Sequence, residues 1–161
     1  MAVEAFLKLD GVTGESQKAG HVGEIELFSF SWGASNPSSV SFGTGSGAGK
    51  VDISSLSLQT QVAKQSTTLF QFCASGQHIA NGVLAVREAG GGEAPKEYLK
   101  YTMNEVFVDS VSWGGAAGGG KPSESISLSF KKIKIEYSAQ KEDGSLESPV
   151  FASWDVAKNT K

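Results

Sequence analysis

The sequence predicts a mainly β chain, a small barrel or sandwich with one short α-helix and a long extended loop. Three observations carry this. Apolar residues alternate with polar ones in several stretches bounded by Gly, Pro, Asn and Ser, the pattern of half-buried strands. Of the 20 glycines among 161 residues, 12 gather at 43–49, 90–92 and 114–120, between those stretches. Convincing helical spacing occurs once, where Leu69, Phe72 and Cys73 follow Ser66 and precede Gly76.

In chain order, residues 3–10 (VEAFLKLD) form a first strand and 11–23 a polar loop. Residues 24–32 (EIELFSFSW) are rich in β-branched and aromatic side chains and form a second strand. Along it Phe28, Phe30 and Trp32 share one side, which is expected to be core. Ile25 and Leu27 share the other with Ser29 and Ser31, a side expected to face a wet surface or cavity. Ser31, a small hydroxyl-bearing position, and Ser29 beside it are the candidate contact residues of that wet side.

Residues 33–50 form an arm longer than the roughly 12 to 15 residues at which structureless connections become uncommon. Val40 and Phe42 stand two apart in it and would expose apolar surface unless another copy of the protein covers them. Gly43, Gly45, Gly47, Gly49 and Lys50 follow, a composition costly to order without a partner surface. Val40, Phe42, these glycines and Lys50 are the candidate contact with another copy of the protein.

Further strands are expected at 51–62, 82–88, 97–113 with an internal break, 125–137 and 149–156, with a helix over 67–75 capped by Ser66 and stopped by Gly76. In several strands the apolar parity flips: Val51 and Ile53 against Leu56 and Leu58; Tyr101 and Met103 against Val106 and Val108; Leu128 and Phe130 against Ile133 and Ile135. Since side chains alternate strictly, each flip requires a bulge or a change of buried face.

Composition restricts the function. With 39% apolar and 19% charged residues the chain can bury a core, and it is read as one domain over 1–161. A net charge of -3 and a single arginine, Arg87, argue against nucleic acid. Lys131, Lys132 and Lys134 read as the solvated side of a strand. There is no apolar run of the roughly 18 residues a membrane helix needs, and no amino-terminal signal sequence, so a cytoplasmic start is expected. Cys73, alone, reads as a small core residue.

Catalytic patterns fail on inspection. The loop at 43–50 has Thr44 where a Walker motif requires Gly and Val51 where it requires Ser or Thr; Ala48 breaks a dinucleotide motif. His21 and His78 lack an accompanying GxSxG or HExxH, and read as loop histidines. No catalytic residue, cofactor or metal is expected.

Taken together, Phe6-x-Lys8, Val12-x-Gly14-Glu15-Ser16, Ser31-Trp32-Gly33, Gly49-Lys50-Val51, Ser66-Thr67, Ser75-Gly76-x-His78, Arg87-x-Ala89-Gly90, Glu97-Tyr98-Leu99, Glu105-Val106, Ser110-Val111 and Ser127-Leu128-x-Phe130 through Glu136-Tyr137 occur in an order and spacing that resembles the hemolysin-coregulated protein (Hcp) family, the inner-tube subunit of the bacterial type VI secretion system. Thr68, where the family often has proline, and the glycine-rich loop at 114–120 depart from the pattern. The resemblance implies a small β-barrel of two antiparallel sheets with one helix. It also implies homohexameric rings stacked into a hollow tube, and effector proteins held in the ring lumen. The spike (VgrG-like) protein and the contractile sheath are the further partners it implies, with secretion after cytoplasmic assembly and no membrane insertion. A fused toxin domain is not expected, since the chain ends soon after its last strand. The rival readings are a monomeric β-barrel binding module and, less well supported, a nucleotide-binding enzyme.

Overall fold

In the computed structural model, which describes residues 2–37, 49–89 and 95–161, the elements run β1 (Val3–Leu9), β2 (Ile25–Leu27), β3 (Ser29–Ser31), β4 (Ala34–Ser35), β5 (Asp52–Ile53), β6 (Leu56–Gln61), α1 (Gln65–Ser75), β7 (Ile79–Glu88), β8 (Glu97–Gly114), β9 (Ser123–Tyr137) and β10 (Val150–Asp155). One antiparallel sheet follows the order β2-β1-β7-β8-β9-β6-β3, with β10 against the far half of β9, and β4 and β5 form a separate ribbon. The two ends of that path, β2 and β3, are separated in the chain only by Phe28. Its N–H donates to the carbonyl of Gln59 at 2.8 Å, and the Thr60 hydroxyl donates to the carbonyl of Glu26 at 2.6 Å. The sheet therefore curls into a nearly closed barrel, the solution that removes exposed edges.

The core follows from the alternation. Leu7 and Leu9 of β1, Leu84 and Val86 of β7, Leu56 and Leu58 of β6, and Ile126 and Leu128 of β9 point inward, and Leu69 of α1 joins them with no exposed surface. Each such side chain contributes about 1.5 to 3 kcal/mol by leaving water.

The parity flips have visible causes. In β8 the buried positions pass from Met103 to Val106, and between them Glu105 takes a φ of 50°, a left-handed value rare for a residue with a Cβ. Asn104 and Val106 keep their partners Lys132 and Phe130 in β9. A second irregularity shifts the register between Val108 and Ser110. In β9 the flip falls at Lys131 and Lys132, both exposed, between buried Phe130 and Ile133. For Val51 and Ile53 against Leu56 and Leu58 the cause differs: Ile53 belongs to the ribbon and Leu56 to the barrel.

Three expectations require correction. The strand expected over 24–32 is two strands, and Phe28, expected in the core with Phe30 and Trp32, is 66% exposed while Ile25 and Leu27 are buried. At Phe28 the chain leaves the edge of β1 and joins β6, which exchanges inner and outer faces. Phe30 and Trp32 do turn inward, edge-on to Tyr101 at 6.0 and 5.4 Å. The helix begins at Gln65 rather than Thr67, with Lys64 as a cap that makes no side-chain hydrogen bond; Ser66 lies inside the first turn, its hydroxyl accepting from the Ala63 N–H at 3.1 Å. Gly76 does stop the helix, at φ 70° and with its N–H bonded to Phe72 O at 3.1 Å, a conformation glycine adopts without a Cβ penalty. Thirdly, His21 is no free loop histidine: it is 5% exposed.

Candidate functional site

The expected wet serines stand at the margin of a larger surface. Ser29 and Ser31 are both exposed on β3 and lie opposite Gln59 and Ser57 of β6. Those residues lie opposite Ser125 and Ser127 of β9, which in turn face Ser112 and Ser110 of β8. Residues directly opposite in an antiparallel ladder share a face, so hydroxyl-bearing residues run across four strands while Leu56, Leu58, Ile126 and Leu128 fill the other side. Ser125 donates to Gln59 Oε1 at 2.8 Å, and Ser129 and Ser55 donate to the two oxygens of Asp109 at 2.9 and 3.1 Å. This face offers weak, rotatable donors and acceptors. The sequence already carried the signal in the alternating polar residues of LSLQTQ and the alternate serines of SESISLSF, but the pairing that assembles them is non-local.

Of the arm, Val40, Phe42, Gly43, Gly45 and Gly47 lie outside the described residues. Gly49 and Lys50 stand at its root, half-buried and exposed respectively. A Cβ on Gly49 would sit 2.5 Å from the carbonyl oxygen of Pro37, so only glycine allows the two sides of the arm to approach there. Behind it the β4–β5 ribbon is fastened by the Gly33 N–H to Ser54 Oγ at 2.8 Å and the Ser54 N–H to Gly33 O at 2.9 Å.

Apolar surface is exposed in separate places. Phe70 of α1 and Trp113 of β8 line an open groove of about 590 Å3 together with Thr67 and Gln71. Val150 and Phe151 of β10 lie exposed beside Tyr137, with the Lys134 ammonium 4.8 Å above the Phe151 ring. Val22 and Phe28 are exposed near the barrel seam.

The lysine cluster is engaged with acids: Lys131 with Glu105 at 2.5 Å, Lys134 with Glu136 at 3.3 Å, and Lys132 with Asp155 at 3.8 Å. The hydrogen bond from Lys131 holds the Glu105 carboxyl below its ordinary value. Cys73 is half-buried against the core, in keeping with a packing role. Among the described residues no three His, Cys, Asp or Glu side chains are arranged to hold a metal ion, and no helix is long and apolar enough to cross a membrane.

Comparison with known proteins supplies the family. The family model described as "Type VI secretion system effector, Hcp" matches residues 6–137. Protein hcp1 of Pseudomonas aeruginosa is 39% identical over 162 residues, covering 100% of this chain and 99% of that protein. Among solved structures, a type six secretion system protein superposes with a TM-score of 0.91 at 29% identity, and Hcp1 from Salmonella typhimurium with 0.80 at 35%, each alignment covering 99% of both chains. The chain belongs to the Hcp family of the type VI secretion system.

Proposed function

We propose that this chain, as one domain over residues 1–161, is a subunit of the type VI inner tube and a carrier of effectors. Six copies close into a ring, rings stack into a hollow tube, and effector proteins ride in the lumen against the hydroxyl face that includes Ser29 and Ser31. The role is structural rather than catalytic. The spike protein caps the tube and the contractile sheath drives it. Assembly takes place in the cytoplasm, and secretion follows.

The observation that carries this reading is the division of one barrel between a broad hydroxyl face and separate apolar patches at Phe70 with Trp113 and at Val150 with Phe151. Small hydroxyls tolerate varied cargo. Apolar patches in different places suit the heterologous contacts by which identical copies close a ring. Val40, Phe42, Gly43, Gly45, Gly47, Gly49 and Lys50 are proposed to make the axial contact to the next ring.

Native mass spectrometry at micromolar concentration, with negative-stain microscopy, tests the reading. Six-membered rings are expected. A monomer throughout that range would leave the β-barrel binding module as the better account.

A further inference from the structure

The second irregularity of β8 aims a side chain outward. Val108 pairs with Leu128 and Ser110 with Ser127, so β8 advances two residues where β9 advances one, and Asp109 is the inserted residue. An inserted residue has no partner in the ladder, and a bulge of this kind re-aims a side chain. Val108 is buried, whereas Asp109 and Ser110, though consecutive, are both exposed. The bulge thus turns one carboxylate onto the hydroxyl face.

There the carboxylate lies across β9. Ser129 of β9 donates its hydroxyl to Oδ1 at 2.9 Å, and Ser55, the residue before β6, donates its own to Oδ2 at 3.1 Å. A carboxylate only accepts, so both serines are donors, and each has spent the one proton it has. Of the about four lone-pair sites of a carboxylate, two are taken and the rest stay open. The cluster therefore presents lone pairs alone to whatever approaches it. Farther along the face the polarity differs: Ser125 donates to Gln59 Oε1 at 2.8 Å, which leaves the Gln59 NH2 as a donor.

The surroundings leave the charge without a partner. Lys131, the next outward residue of β9 after Ser129, is engaged by Glu105 at 2.5 Å, and among the described residues no basic side chain forms an ion pair with Asp109. Phe107, half-buried, stands directly opposite Ser129 and so on the same face. The chain itself does not supply the missing cation as arginine: its single arginine, Arg87, is 5% exposed and donates to Glu4 at 2.9 Å and to the carbonyl of Ala19 at 2.7 Å.

We propose that Asp109, held in place by Ser55 and Ser129, is a recognition site for arginine side chains on the surface of a cargo protein. A guanidinium carries five N–H donors in a planar fork, accepts nothing and stacks on aromatic rings, so it matches a carboxylate flanked by lone pairs and standing beside Phe107. An acidic or acceptor-rich surface meets like charge and unpaired lone pairs at the same place. The site names the chemistry of the cargo and rests on the reading of the hydroxyl face as the cargo surface.

The test is fluorescence anisotropy on the intact chain at low ionic strength, with a labelled short peptide of alternating arginine and serine and its twin in which citrulline, neutral and of nearly the same shape, replaces arginine. The arginine peptide should bind about fivefold tighter or more, and Asp109→Asn should bring the two peptides together. Equal affinities, or an arginine preference that survives Asp109→Asn, overturns the proposal. Should Asp109→Asn fail to fold, NMR of the deuterated natural chain decides: the arginine peptide should shift the amides of Ser55, Asp109 and Ser129, and shifts at other acids with none at these three overturn the site. Sedimentation of the same samples separates the site from the ring. A monomer that binds arginine through Asp109 keeps the site and ends the reading of six-membered rings, whereas rings that do not distinguish the peptides keep that reading and end the site.

Discussion

Trp113 donates its indole N–H to Glu124 at 2.5 Å, joining a ring that is 45% exposed to a carboxylate with no exposure at all. The two residues face each other across the β8–β9 ladder, and Gln65 of α1 donates to the other oxygen of Glu124 at 3.0 Å. The buried acid thus fixes both an exposed aromatic ring and the start of the helix beside it. Glu124→Gln keeps the shape but turns an amide donor toward one of the two existing donors, and should cost about 2 kcal/mol in urea unfolding. An unchanged midpoint would show that the contact carries no stability.

Trp32 packs edge-on to Tyr101 at 5.4 Å and Phe130 at 6.3 Å. Trp32→Ala should lower stability by about 3 kcal/mol through cavity and lost aromatic contact. A loss well below about 1 kcal/mol by the same assay would mean that the ring is supported mainly by solvent.

Ser31→Gln places a longer amide on the hydroxyl face without touching the core side of β3. Ring formation should persist and co-purifying effector should decrease. Undiminished effector would remove Ser31 from the cargo surface.

Partial burial pushes the Glu4 carboxyl up, and the hydrogen bonds from Arg87 and Lys18 outweigh it, leaving it below its ordinary value. A carboxyl depressed in the folded state stabilises above its unfolded value and stops doing so as pH falls through the folded one. Glu4→Gln should therefore cost about 2 kcal/mol at neutral pH, where it leaves the 5% exposed Arg87 without its acid, and progressively less below roughly pH 4. A difference between the two proteins that stays constant from pH 7 into the acid range would exclude the ion pair as its source.

Deleting residues 43–49, or Phe42→Asp, should leave the melting temperature and the six-membered ring unchanged and abolish tubes in electron micrographs. Normal tubes would refute an axial role for the arm; loss of the ring would reassign it to the lateral contact.

The strands were legible because their partners are dictated by a period of two, and the flips at Met103 to Val106 and at Phe130 to Ile133 correctly announced the irregularities around Glu105 and Lys131. Phe28 was misjudged because parity cannot show where a chain changes neighbours: its exposure depends on β1 and β6, which lie far apart in sequence. The extent of the serine face was hidden for the same reason, since Ser57 becomes a neighbour of Ser127 only through the ladder. His21 offered no local pattern; its acids, Glu24 and Glu97, come from its own turn and from β8, and Phe6, on which it stacks, alternates with core residues like any strand position.

The closure at Phe28 also bears on how the chain reaches this state. Val3 pairs with Glu88 and Leu56 with Leu128, so the ladders on both sides of the seam join remote parts of the sequence, and contacts of that kind must overcome loop-closure entropy before they contribute. Folding should be slow for a chain of this size. Until the seam forms, β1 and β6 each present an open, apolar-faced edge to other nascent copies, which makes the interval before closure the period of greatest exposure to misassembly.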